Sequence, residues 1–125
     1  MKKILIADDD ISIAELLTQA LTEEGYETYK AVQSLRFYDA VREHKPDLIL
    51  LDLMMPYLEG RDELMLLKMD EATANIPIVC CSARSMARDV QAGLEAGADD
   101  YLSKPVDPYE LVQTIEKRVQ LRLVE

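Results

Sequence analysis

A chain of 125 residues with 49% hydrophobic and 30% charged residues has the size and composition of one globular domain. It can bury its own core without disulfides or a structural metal, and its composition is that of a soluble globular protein rather than a disordered or membrane one. Fourteen Lys and Arg stand against 24 Asp and Glu, a formal net charge of -10 that leaves no electrostatic footprint for nucleic acid. No apolar stretch is long enough to span a bilayer, and "MKK" leads into a strand-like run ending in aspartates rather than into a signal-peptide core. The expected location is therefore cytoplasmic, with no membrane contact and no direct nucleic-acid binding.

"KILIA" predicts a first buried strand. From Ile11 to Glu24 the apolar residues Ile13, Leu16, Leu17, Ala20 and Leu21 recur at helical spacing, and Gly25 supplies a stop. "YETYKA" predicts a second, partly exposed strand, and Leu35 to His44 a helix with Arg42 and Lys45 near its negative end and Pro46 beyond it. "DLILLDL" is the most apolar run and reads as a central strand covered on both faces. After the loop "MMPYLEG", a helix from about Arg61 carries Leu64, Leu66, Leu67 and Met69, and "IPIVCCSA" is a fourth strand.

Ser85 can cap a helix ending near Gly97, and "DDYLSK" gives a short fifth strand. The last helix opens on Asp107 as N-cap, Pro108 at its first position and Glu110 at the capping-box position, with Leu111, Val112, Ile115 and Val119 as the buried stripe. This alternation predicts an α/β domain: a doubly wound, five-stranded parallel sheet of flavodoxin-like (βα)5 type with helices on both faces. Cys80 and Cys81 are neighbours on one strand, so their side chains point to opposite faces and cannot bridge without distortion; two reduced, buried thiols are expected.

In such a sheet the binding crevice lies beyond the carboxyl ends of the strands. There the sequence places Asp8 and Asp9 after the first strand, Asp52 after the third, Ser82 after the fourth, and Lys104 with Pro105 after the fifth. Three carboxylates roughly 5 Å apart repel by about 3 kcal/mol per pair at an effective dielectric near 20, a large fraction of a marginal stability. A hard divalent cation with oxygen ligands relieves that repulsion, which is magnesium chemistry. With a metal held there, an Asp carboxylate can attack phosphorus and form an acyl phosphate, while Lys104 and Ser82 meet the phosphoryl oxygens. Asp10, third in the "DDD" block, is read instead as the start of the first helix.

"ILIADDD", "PDLILLDLMMPYLEG", "CCSAR" and "GLEAGADDYLSKP", in that order, resemble the receiver domain of bacterial two-component response regulators over nearly the whole chain. The resemblance implies a receiver over residues 1–121, with 122–125 a tail or the start of a linker. It makes Asp52 the phosphoacceptor and Asp8, Asp9, Asp52 and the backbone carbonyl of Met54 the magnesium ligands, Asp9 directly and Asp8 through water. Ser82 and Tyr101 become the paired switch residues, Lys104 the partner of Asp52 or its phosphate, and the Lys104–Pro105 bond cis. It further implies a signalling receiver that catalyses only its own phosphorylation and dephosphorylation. The donor it implies is a sensor histidine kinase or phosphotransfer protein. Output runs through the fourth helix, fifth strand and fifth helix to a partner, a further domain, or a phosphorylation-dependent homodimer.

Several positions depart from the family pattern. Ser82 replaces a threonine, Val106 an aromatic and Glu59 an aspartate, while Met54 and Arg84 occupy positions that tune phosphoryl lifetime and favour a long-lived phosphate. Val90 and Thr114 stand where two basic residues support dimerisation in the winged-helix members, which counts against that mode here. Two rival readings remain. A magnesium-dependent aspartyl-phosphate phosphohydrolase prefers D-x-D and needs a cap, whereas Asp52 is followed by Leu53 and Met54. A pseudo-receiver that only docks is the other, although all five site residues are present.

Overall fold

A computed structural model describes residues 2–8, 10–31, 37–52, 60–83 and 86–124, with the backbone alone at 37–38, 60–63 and 121–124. Strands and helices alternate throughout: β1 (Lys3–Ala7), α1 (Ile11–Glu23), β2 (Glu27–Lys30), α2 (Phe37–His44), β3 (Leu48–Leu51), α3 (Gly60–Met69), β4 (Ile78–Ser82), α4 (Ala87–Ala96), β5 (Asp100–Ser103) and α5 (Pro108–Val124). The five strands form one parallel sheet in the order β2-β1-β3-β4-β5. Strand order reverses between β1 and β3, and sheets of this type bind ligands beyond the carboxyl ends of the strands at such a point.

Alternation along the central strands divides the core in two. Ile4, Ile6, Leu48, Leu50, Val79 and Cys81 face α1 and α5, where Ala14, Leu17, Leu21, Leu111 and Ile115 cover them. Leu5, Ala7, Ile49, Leu51, Ile78 and Cys80 face the other way, onto Val41 of α2 and Leu64 and Leu67 of α3. β3 is buried along its whole length, as its unbroken apolar run requires. Each fully buried Leu or Ile contributes about 1.5–3 kcal/mol relative to exposure.

Local signals explain most boundaries. Asp10 caps α1, its side chain accepting from the N–H groups of Ser12 at 3.0 Å and Ile13 at 3.3 Å. Gly25, at φ 90°, ends that helix region, in a left-handed conformation that suits glycine. Asp107 accepts the Tyr109 N–H at 3.0 Å ahead of α5, whose first residue is Pro108. α5 continues through Val124, so the backbone at 122–124 is helical.

Other expectations are corrected or fall outside the described residues. The residue before α4 is Met86, extended and without a side-chain capping bond; Ser85 lies outside the described residues. Leu35, expected to open α2, also lies outside them. Leu16, Leu66 and Met69 are exposed at 56%, 51% and 77%, although their spacing fits a helical stripe. The buried line of α1 runs through Ala14, Leu17 and Leu21, and a residue adjacent to Leu17 is turned about 100° around the helix, toward water. Val112 is only half-buried at the edge of the α5 stripe. Among the described residues no helix is long and apolar enough to cross a membrane.

Candidate functional site

Four strand ends deliver the polar residues. Asp8 follows β1 and is buried, and Asp52 follows β3, with its N–H donating to the Ala7 carbonyl at 2.9 Å so that the two ends lie side by side. Ser82 closes β4 and is fully buried. Lys104 follows β5, and its N–H donates to the Ser82 carbonyl at 2.9 Å. Register alone thus gathers two carboxylates, a hydroxyl and an ammonium from residues up to 96 positions apart.

Lys104 joins them. Its Nζ donates to Asp8 Oδ2 at 2.7 Å and to Asp52 Oδ2 at 3.0 Å. The other oxygen of Asp8, Oδ1, accepts the Asp10 N–H at 3.0 Å, so the residue that caps α1 also orients the buried carboxylate. The Lys104–Pro105 bond is cis. Tyr101 pairs in register with Cys80 and is half-buried against the core cluster on that face. Asp9, Met54, Glu59 and Arg84 lie outside the described residues.

The response regulator receiver domain family matches residues 4–116. The DNA-binding response regulator MtrA of Mycobacterium tuberculosis is 44% identical over 95% of this chain and 51% of its own length. The phosphate regulon transcriptional regulatory protein PhoB of Pseudomonas aeruginosa is 42% identical over 92% of this chain and 50% of its own length. The signal receiver domain of a DNA-binding response regulator (merR) from Colwellia psychrerythraea superposes with a TM-score of 0.90 at 30% identity, covering 96% of this chain and 99% of that one.

The chain belongs to the response regulator receiver domain family. It spans about half the length of the curated relatives it matches. The flavodoxin-like fold expected from the alternation of elements is the fold of that solved receiver domain.

The electrostatics of the receiver's crevice follow from burial. Loss of water pushes the Asp8 carboxyl above its ordinary value, and the neighbouring Asp52 charge adds to this, against the Lys104 ammonium and the Asp10 N–H. Burial alone would pull Lys104 down, but its bonds to Asp8 and Asp52 outweigh it and hold the ammonium above the usual lysine value. By formal charge, two acids against one base leave this group one positive charge short.

That shortage bears on a metal. Hard, oxygen-only donors with an excess of one negative charge suit a small divalent cation, and Asp8 and Asp52 are such donors. Among the described residues no third His, Cys, Asp or Glu joins them in a metal-holding group, and Asp9, adjacent in sequence, is not among those residues. Cys80 and Cys81 are free and buried in opposite core clusters, and burial pushes each thiol up to about 12. They are inert packing groups rather than a redox pair.

Sequence reasoning missed one member of this neighbourhood. Asp10 was expected only as a cap, whereas its N–H also binds Asp8. The signal was available: a backbone donor two residues after a buried Asp is the pattern of an Asx turn.

Proposed function

We propose that this receiver takes a phosphoryl group onto Asp52 from a sensor histidine kinase or phosphotransfer protein and thereby changes its α4-β5-α5 face. The observation that carries this reading is Lys104 bridging Asp8 and Asp52 at 2.7 and 3.0 Å, buried at the carboxyl edge of a parallel sheet. One Asp52 oxygen attacks phosphorus while the bond to the donor nitrogen breaks, and the electron pair stays on the departing imidazole. The product is an acyl phosphate. Lys104 neutralises charge on the phosphoryl oxygens, and the Ser82 hydroxyl donates to one of them.

Asp8, Asp9, Asp52 and the Met54 carbonyl would hold Mg2+, which supplies positive charge to the phosphoryl oxygens during transfer. Asp10 keeps Asp8 aimed at that place. Once formed, the phosphate adds charge and acceptor oxygens that favour one arrangement of Ser82 and Tyr101 over another. The setting is cytoplasmic. A chain of net charge -10 does not itself contact DNA, so any transcriptional output belongs to another segment or a partner.

The test is intact-mass analysis after incubation with acetyl phosphate and Mg2+. Wild type gains one phosphoryl group, and Asp52→Asn gains none. Equal labelling of both proteins refutes Asp52 as acceptor; fast turnover of acetyl phosphate without accumulation of labelled protein favours a phosphohydrolase, and neither labelling nor turnover favours a docking module.

A further inference from the structure

β5 is an edge strand of four residues, paired on one side only, with β4. So short a ladder leaves its placement dependent on what holds its two ends. At the carboxyl end stands Lys104, tied to the Ser82 carbonyl and to the two buried acids. At the amino end stand Asp99 and Asp100, whose side chains are tied to different helices.

Asp99 Oδ2 accepts the Ile78 N–H at 2.8 Å and the Lys68 ammonium at 3.4 Å, which links the strand to β4 and α3. Arg118, in α5, donates Nε to Asp100 Oδ2 at 2.7 Å and Nη2 to the Asp99 carbonyl at 2.8 Å. One planar guanidinium thus holds both a side chain and the backbone of the strand's first turn of chain, fixing its orientation as well as its distance. The pair is partly shielded, with side-chain exposures of 25% and 34%. Tyr101 is the next residue along.

We propose that Arg118 is a positioning residue that makes β5 and α5 respond as one body, so that a change at Lys104 and Tyr101 reaches α5 through the guanidinium fork. The proposal rests on the receiver reading of Asp52. Lys68 holds the same strand toward α3 and has no part in this path. A lysine at 118 offers a point charge on a flexible stem and cannot reproduce the planar fork.

The test is hydrogen exchange of the full chain, with and without Mg2+ and beryllofluoride, for wild type, Arg118→Met, Arg118→Lys and Lys68→Met. Wild type is expected to change exchange in both β5 and α5. Arg118→Met keeps the β5 change and loses most of the α5 change, Arg118→Lys recovers part of it, and Lys68→Met keeps both. Should Arg118→Met fail to fold by circular dichroism, Arg118→Gln carries the same expectation. A full α5 change in the Arg118 variants overturns the proposal, as does an equal loss in Lys68→Met. Absence of any change in wild type overturns the phosphoacceptor reading and this proposal with it, so the two failures are distinct.

Discussion

Replacing Lys104 by Met removes the cation from two buried carboxylates while keeping the length of the stem. At 2.7 and 3.0 Å each attraction is about 6 kcal/mol at an effective dielectric near 20. The two oxygens share one ammonium, so they cannot lie farther apart than about 6 Å, where their mutual repulsion is roughly 3 kcal/mol. Desolvation of the three charges offsets much of the gain, and removal of one partner from such a buried group typically costs about 3–5 kcal/mol. Protonation can relieve that cost. Asp8 is already raised by burial, and without Lys104 it loses the groups that lower it most, so its folded value rises further above the unfolded one. A raised carboxyl costs nothing below its unfolded value near 3.8, and the cost grows as pH climbs toward the folded value. Urea denaturation should therefore show a deficit of about 3–5 kcal/mol for Lys104→Met near pH 8 that shrinks markedly near pH 4.5. Mg2+ at a hundred times its dissociation constant for the variant should raise the variant's own stability at pH 8 by about 2.7 kcal/mol. A deficit below about 1 kcal/mol, as an exposed pair would give, refutes the reasoning. So does a deficit unchanged between the two pH values.

Asp10→Ala should cost about 1 kcal/mol in thermal or urea unfolding through loss of the α1 cap. Asp10→Asn should cost much less and leave acetyl-phosphate labelling of Asp52 intact, because the N–H that binds Asp8 belongs to the backbone. Cys80 and Cys81, with thiols pushed up to about 12, should resist a thiol-specific reagent at pH 8 in the native protein and react in urea; fast native labelling would contradict their burial. Gly97→Ala should destabilise by more than the roughly 1 kcal/mol typical of a φ > 0 glycine, since φ is 126° and the added carbon would meet Lys68 Cγ at 2.7 Å; a loss of only about 1 kcal/mol would show that Lys68 yields freely, and no loss would contradict the backbone strain as well.

The carboxyl-edge residues were legible because of a property of parallel sheets. Every strand runs the same way, so a polar residue that ends an apolar run lands on one edge whatever the sheet order. "KILIA" followed by Asp8, "LILL" followed by Asp52 and "IVCC" followed by Ser82 each state their position in one dimension. The alternation at Cys80 and Cys81 was legible for a related reason, since period 2 assigns faces without any knowledge of what covers them. Helical stripes were less decisive. Leu16 and Leu66 sit beside Leu17 and Leu67, and only the direction from which the sheet approaches decides which member of each pair is covered.

Contacts that depend on two elements meeting at a particular height had no signal in the chain. Arg118 on Asp100 spans 18 positions, and Lys68 on Asp99 spans 31; α5 and α3 must first be set against β5 before either pair exists. In the sequence each reads as an ordinary solvated charge, and a surface pair of that kind contributes little. What distinguishes Arg118 is that its second donor reaches a backbone carbonyl, at 2.8 Å from Asp99. A side chain bound to a side chain can swing with it, whereas one bound to the backbone immediately before β5 constrains where the strand begins. The candidate site residues are therefore announced by position along the chain, while the proposed positioning residue is defined only by packing.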